Sequence, residues 1–402
     1  MGRYLVQGDP VVALGALTLI PDGALIVEGP EITAVGPREV LAARGPFDRV
    51  LGSADHFVMP GFVNCHYHSE LAIGPGLYQH IFEKANVHIQ GAVGPIDEED
   101  LYYGILWGLI TAIKGGQTGT VDMYYGRTGM EHFGCVPALR AYADSGMRTA
   151  FGLVSRDQNI YAHQADETFL ARLPADLAAE VRASPMGYAW PVDDVMATFE
   201  TLSADWHGRH DRIQIVTAPD WTPACSDELY RRCQRAADDH GTSLITHALE
   251  TRSEMMFSLQ QYGKPAVRRL ADLGVLGPRT VLEHFVWVTD EELSVFGDSG
   301  AVASCDPART CGWRPGSAGS GTSWPRAAGS ASAPTGSPCP TGRTSSPSCG
   351  WPAICSGCRT CSARAALTAR RCCGPRRATA LARSAPRPGS AAWSQASGPT
   401  CL

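Results

Sequence analysis

Three apolar runs in this chain lead into histidine. Phe57–Val63 runs into His66, Ser243–Thr246 ends at His247, and Thr280–Glu283 ends at His284. The stretches between them change to the helical period. Asp97 can cap a helix from near Glu98 to about Lys114, stopped by Gly115-Gly116. Thr118–Asp122 is the next strand, followed by a helix over 132–145 and strand Arg148–Ser155. Residues 156–190 form a long mixed insertion with a helical pattern around Leu170–Ala183. A helix over 193–207 precedes strand Ile213–Ala218, and Ser226 caps a helix over 227–240. A helix over 252–274 separates the last two histidine strands. Thr289 caps a helix through Leu293, ahead of strand Ala301–Ser304. Strands alternating with helices make parallel βα units. The fold class is therefore α/β. The repeat is that of a (β/α)8 barrel of the TIM type with about seven strands present, incomplete at its C-terminal end. In such a barrel the C-terminal strand ends carry the chemistry.

Residues 3–58 read differently, as short strands at Tyr4–Val6, Gly15–Ile20, Ala24–Val27, Ile32–Val35 and Arg49–Leu51, with a turn at Pro21-Asp22-Gly23. This is a small antiparallel β-unit.

The far end of the chain breaks with both patterns. Residues 307–402 carry 12 Arg and no Lys, Asp or Glu, which leaves 22 Lys and Arg against 40 Asp and Glu in residues 1–306. A tail of charge +12 thus follows a body of charge −18, and ten of the 14 Cys lie from Cys305 onward. The tail is almost all Ala, Arg, Gly, Ser, Pro, Thr, Cys and Trp, the residues whose codons have C or G at the second base. A GC-rich gene read out of frame produces that set, because its third bases become second bases. An ordinary disordered tail also uses Glu, Lys, Gln or Asp. A one-base slip near Ala308 is the reading adopted for 308–402, with a disordered product. Two rivals are a basic arm that binds nucleic acid and a metal knuckle at Cys355-x-x-Cys358-x-x-Cys361. Cys is abundant throughout the tail and no His is available there.

The first twenty residues lack a basic segment followed by a long apolar one, so no secretory signal is expected. Val6 stands where a myristoylation site needs Ser or Thr. No apolar run approaches the ~18 residues of a membrane span. The expected location is cytoplasmic, where Cys65, Cys135, Cys225 and Cys233 are ordinary reduced thiols.

His66 and His68 form a His-x-His pair at a strand end, and alternate strand residues share a face, so both rings can point at one ion. Two satisfied histidines would look the same. His247 and His284 decide for a metal site, because each also falls where an apolar strand ends, on the same rim of one barrel.

Here the sequence resembles the amidohydrolase superfamily, in its aminohydrolase branch of cytosine and guanine deaminases, methylthioadenosine/S-adenosylhomocysteine deaminases and triazine hydrolases. The resemblance rests on Met59-Pro60-Gly61-Phe62-Val63-Asn64-Cys65-His66-Tyr67-His68, on Thr246-His247-Ala248-Leu249-Glu250-Thr251 and on Leu282-Glu283-His284, and it covers residues 3–307. It implies a β-sandwich part over 1–58 and a metal-dependent hydrolase barrel over 59–307. It implies that His66, His68 and His247 bind one divalent ion, Zn²⁺ or Fe²⁺. Glu250 would move protons to the ring nitrogen and the leaving amine, and His284 would hold the attacking hydroxide. Glu250 could otherwise be a solvated residue at a helix start. The substrate implied is a small heterocyclic amine, with no nucleic acid or membrane partner and with self-association left open. Dehalogenation or amide hydrolysis by the same centre is the alternative, as is an inactive metal-binding remnant. Strand Ile213–Ala218 holds no Lys to be carboxylated, which favours one metal over two. Tyr67, Tyr124, Tyr125 and Trp221 either line the pocket or pack in the core. The family also places an Asp at the end of the eighth strand, and this chain has no Asp after Asp306. In the shifted frame that Asp straddles Pro334 and Thr335.

Overall fold

The computed structural model describes residues 2–13, 18–73, 97–126, 134–159, 166–183 and 189–305. All of them lie within Met1–Ser356, one of the two units into which the chain divides. The tail over 308–402 and its cysteine knuckle lie outside the described residues.

The first part is a four-stranded sheet in the order β5-β4-β1-β6, built from β1 (Arg3–Gly8), β4 (Gly23–Glu28), β5 (Glu31–Pro37) and β6 (Arg49–Gly52). β1 is antiparallel to β4 and parallel to β6. A separate antiparallel pair joins β2 (Val11–Ala13) to β3 (Thr18–Ile20). Strand alternation turns Leu5, Ala24 and Ile26 inward, where they meet Leu41 of the short helix α1 (Arg38–Ala42). The expected turn falls between β3 and β4. Asp22 adopts the left-handed conformation there (φ 43°), and its N–H donates to Asp9 Oδ1 at 3.0 Å.

The second part alternates strand and helix. After β7 (Phe62–Tyr67) come α2 (Glu98–Lys114), β8 (Gln117–Tyr124), α3 (Val136–Ser145) and β9 (Arg148–Ser155). Next are α4 (Asp166–Leu170), α5 (Ala175–Ala183) and α6 (Val192–Trp206), then β10 (Ile213–Ile215) and β11 (Ala218–Pro219). α7 (Asp227–Asp239), β12 (Leu244–Ala248), α8 (Arg252–Tyr262), α9 (Ala266–Asp272), β13 (Thr280–His284), α10 (Asp290–Ser299) and β14 (Val302–Ser304) complete it. β7, β8 and β9 pair in parallel, and β10 and β11 both pair with β9. β12, β13 and β14 form a second parallel set. Parallel bridges Thr217↔Leu244 and Trp221↔His247 link the two sets. Spatial order therefore follows chain order, as successive βα units require.

Packing on the helix side explains the helical periods. Leu101, Ile105 and Leu109 recur every fourth residue on α2 and are fully buried against Leu139 and Tyr142 of α3 and Phe151 of β9. Burying three such side chains contributes about 1.5–3 kcal/mol each. A second cluster joins Leu229 and Tyr230 of α7 to Val267 and Leu270 of α9 over Leu244 and Leu282. The opposite face of the sheet carries Met123, Val154, Val216, Ala218 and Ile245. Gly152 is required there, because a Cβ at that position would stand 2.6 Å from the Ala218 Cβ. The expected caps form, with Asp97, Ser226 and Thr289 each accepting a backbone N–H from the first helical turn.

Several boundaries differ from expectation. The first histidine strand starts at Phe62 rather than Phe57, since Pro60 has no N–H to pair, and it runs on so that His66 lies inside it. The helix expected over 252–274 is two helices, broken where Gly263 takes φ 67° ahead of Pro265. The pattern around Leu170–Ala183 is likewise split between α4 and α5 before Ala175. The strand expected over Ile213–Ala218 divides because Val216 N–H pairs with Phe151 of β9 while Thr217 N–H turns to Ser243 on the other side.

Candidate metal centre

His66 and His68 leave β7 and its end on one side, as the pleat requires, with ring centroids 4.6 Å apart. His247, near the end of β12, brings its ring within 5.1 Å of His66 and 5.4 Å of His68. One nitrogen from each of the three rings can be chosen so that all lie within 4.8 Å of one another. That spacing suits three ligands around one ion whose metal–nitrogen bonds are about 2.0–2.1 Å. Two of the rings are already oriented for it. His68 Nδ1 donates to the Met123 carbonyl at 2.6 Å, and His247 Nδ1 donates to the Asp220 carbonyl at 2.6 Å. Each ring therefore keeps Nε2 for a ligand, the arrangement typical of metal-binding histidine. The residues present fit a divalent ion, and neutral imidazoles of this kind suit zinc, iron, copper or nickel.

His284 stands beside the triangle, its ring stacked on His247 at 5.4 Å and 4.8 Å from His66. It reaches there through an unusual backbone. His284 has φ 71° and Phe285 has φ 47°, both left-handed, and Leu249 opposite has φ 55°. Such conformations are disfavoured for bulky residues and persist only where the surroundings enforce them. The enforcement is visible in the main chain: Phe285 N–H donates to the Ala248 carbonyl, and Val286 and Trp287 N–H both donate to Leu249.

Glu250 brings a carboxylate oxygen to 3.5 Å from His284 Nε2, and both side chains are nearly buried. Its own backbone is held by Glu254, whose carboxylate accepts Glu250 N–H at 2.9 Å and Thr222 O–H at 2.7 Å. Glu254 is fully buried in the first turn of α8, capped by Thr251, where an acidic group is favoured. All five candidate residues thus come together, although they start from three separate strands.

Of the four candidate aromatic residues, Tyr125 meets the cluster, 5.1 Å from the His68 ring and stacked on His247 at 6.2 Å. Trp221 pairs with His247 through the backbone. Tyr124 packs on Phe151 on the helix side, and Tyr67 packs against the same cluster. Burial among these groups, with Asp122 and Glu70 nearby, pushes the Tyr67 hydroxyl well above its ordinary pKa. Cys135, Cys225 and Cys233 are buried, and burial pushes each thiol up, so none is poised as a nucleophile.

Asp220, Arg156 and Glu283 were not anticipated. Asp220 accepts from the Tyr125 hydroxyl at 2.8 Å, lies 3.6 Å from Arg156 and approaches His247 Nδ1 at 3.4 Å. Its signal was available, since it directly follows Ala218–Pro219 at a strand end. Glu283 lies 3.5 Å from His66 Nδ1. Strand alternation puts it on the inward face with Val281, in register with the ligand His247, and the left-handed turn at His284 brings that ring in beside it.

A parallel α/β sheet in chain order, with histidines gathered at its strand ends, defines the class of fold and the candidate site. The chain belongs to the amidohydrolase family, which matches residues 57–309. It is 30% identical over 299 residues to a 5-methylthioadenosine/S-adenosylhomocysteine deaminase of Syntrophobacter fumaroxidans, covering 72% of this chain and 60% of that protein. The chain therefore spans about three fifths of the length of such relatives. Its fold is shared with an adenosine deaminase from Xanthomonas campestris with bound zinc (TM-score 0.64, 21% identity, 77% of this chain and 64% of that one). It is also shared with a zinc complex of atrazine chlorohydrolase from Arthrobacter aurescens (TM-score 0.64, 20% identity, 77% and 67%). No helix among the described residues is long and apolar enough to cross a membrane.

Proposed function

We propose that this chain is built as a single-metal aminohydrolase that removes an amino group from a small nitrogen heterocycle, with adenosine-type compounds as the first class to test. The observation that carries the reading is the convergence of His66, His68 and His247, with ligand nitrogens within 4.8 Å of one another, beside the Glu250–His284 pair. The parallel strands are those of a (β/α)8 barrel, with 1–58 as its β-sandwich part and 59–307 as the hydrolase domain.

The three histidines would hold one divalent ion, Zn²⁺ or Fe²⁺, which when bound brings the pKa of a water down toward about 7 and so supplies hydroxide at neutral pH. Glu250 then serves as the proton carrier, taking one proton of the attacking water to the ring nitrogen as the C–O bond forms and then the proton of the new hydroxyl to the amine as the C–N bond breaks. Ammonia leaves and the carbon is left as a carbonyl, with no change of oxidation state. His284, held by its backbone turn and facing Glu250, orients the attacking oxygen. Asp220 and Tyr125 keep His247 and its neighbours in place.

The test is ammonia release from 5-methylthioadenosine, S-adenosylhomocysteine and adenosine by the purified chain after loading with Zn²⁺. Turnover supports the reading. Metal uptake without turnover on any of them favours the metal-binding remnant, which the lack of any Asp after Asp306 also favours. We further propose that residues 308–402 are translated out of frame. Independent DNA sequencing across codons 300–340 tests this, and an in-frame gene with no inserted or lost base relative to close homologous genes would refute it.

A further inference from the structure

We propose that Glu283 is the positioning carboxylate for His66, fixing that ring so that its other nitrogen faces the ion. This rests on the metal reading above and deepens it. The three ligand rings need three acceptors, one at each Nδ1, if every Nε2 is to face inward. His68 and His247 have theirs in the main-chain carbonyls of Met123 and Asp220, each at 2.6 Å. For His66 the oxygen at ion-pair distance from Nδ1 is Glu283 Oε2, at 3.5 Å.

The placement is specific. Glu283 is paired in register with His247 on the neighbouring strand, so it sits at the same depth as the ligands. It is 0% exposed, and a carboxylate so far from water is costly unless an opposite or polarised group faces it. The imidazole of His66, 3.5 Å away, is such a group. His66 also differs from the other two rings in meeting His68, His247 and His284 edge-on, at 79°, 84° and 83°. A ring surrounded on three sides needs its rotation fixed from the fourth. An anionic acceptor there also makes the ring a stronger donor to metal than a carbonyl does. Alternation with Val281 turns Glu283 inward, and the strained turn that follows brings the His284 ring in beside it.

The test compares the full wild-type chain with E283Q and E283L, freed of metal. Zn²⁺ affinity is read by competition with a chromophoric chelator, and coordination by the visible spectrum of the Co²⁺ form. Outer carboxylates of this kind are worth about 10–100-fold in metal affinity. The expected result is Zn²⁺ binding weakened about tenfold in E283Q and about 100-fold in E283L. The Co²⁺ band intensity of E283Q stays at the wild-type level, because the number of ligands is unchanged. The melting temperature of metal-free E283Q also stays unchanged, which separates positioning from a structural role. Wild-type affinity in E283L overturns the proposal. If E283L does not fold, wild-type affinity in E283Q overturns it instead. A wild-type chain that takes up no Zn²⁺ overturns the metal reading itself, whereas equal uptake by wild type and variants overturns only the role of Glu283.

Discussion

Arg269 to Met is the substitution whose cost follows most directly from the structure. Arg269 lies on α9 and is 3% exposed. Its guanidinium donates to the Thr222 carbonyl and the Cys225 carbonyl at 2.7 Å each, and to Asp227 Oδ1 at 2.8 Å. It also lies 3.5 Å over the Tyr262 ring. This single side chain ties the segment after β11 to α7, α8 and α9. Met preserves most of the apolar stem and removes every donor. Two buried carbonyls then lose charge-assisted bonds, at about 1–3 kcal/mol each. The loss of the Asp227 pair adds little, because that carboxylate is 47% exposed and water replaces the arginine. Loss of the contact with Tyr262 adds about 1 kcal/mol. The net cost is about 3–7 kcal/mol, a large part of the roughly 5–15 kcal/mol of a typical folded domain. At about 2–4 °C per kcal/mol the melting temperature should fall by roughly 6–28 °C. Urea unfolding of R269M and wild type, at equal slope, measures the cost. A difference below about 1 kcal/mol would show that the loop carbonyls find other donors and would refute the clamp.

Three further outcomes are expected. Asp122 is buried beneath Ser69 and Tyr142, and burial pushes its carboxyl up to about 6 although hydrogen bonds from both neighbours lower it. An acid whose folded pKa is raised costs stability as pH climbs from its unfolded value toward the folded one, by about 3 kcal/mol here. Urea midpoints should therefore fall between about pH 4 and pH 6 in wild type and fall less in D122N; parallel profiles would count against the assignment. Glu250→Gln should keep Zn²⁺ uptake at wild-type levels while ammonia release drops about 10²–10⁴-fold, and unchanged turnover would remove Glu250 from the proton path. The buried thiols Cys135, Cys225 and Cys233 should resist a thiol-reactive dye until the chain unfolds, which a labelling time course with mass-spectrometric mapping checks.

Much of the centre was legible in the sequence because strand geometry is local. A residue's place at the end of an apolar run puts it at a strand end, and a period of two puts His66 and His68 on one side. The helix from near Glu98 to about Lys114 was legible because Asp97 and Gly115 mark its ends, and it spans Glu98–Lys114. What the one-dimensional pattern could not carry was conformation enforced from outside. The left-handed φ of His284 depends on bonds from the following residues to Ala248 and Leu249 on the next strand. Glu283 faces inward by plain alternation with Val281, but its approach to His66 on another strand has no signature in its own spacing. The same holds for the break within Ile213–Pro219, which arises because neighbouring residues pair with different strands. Sequence alone thus determined which side chains stand at the strand ends, because burial and alternation act residue by residue. Tertiary structure decided which nitrogen of each ring is left for a ligand and which carboxylates face them, because those depend on acceptors 27 and 55 residues away along the chain.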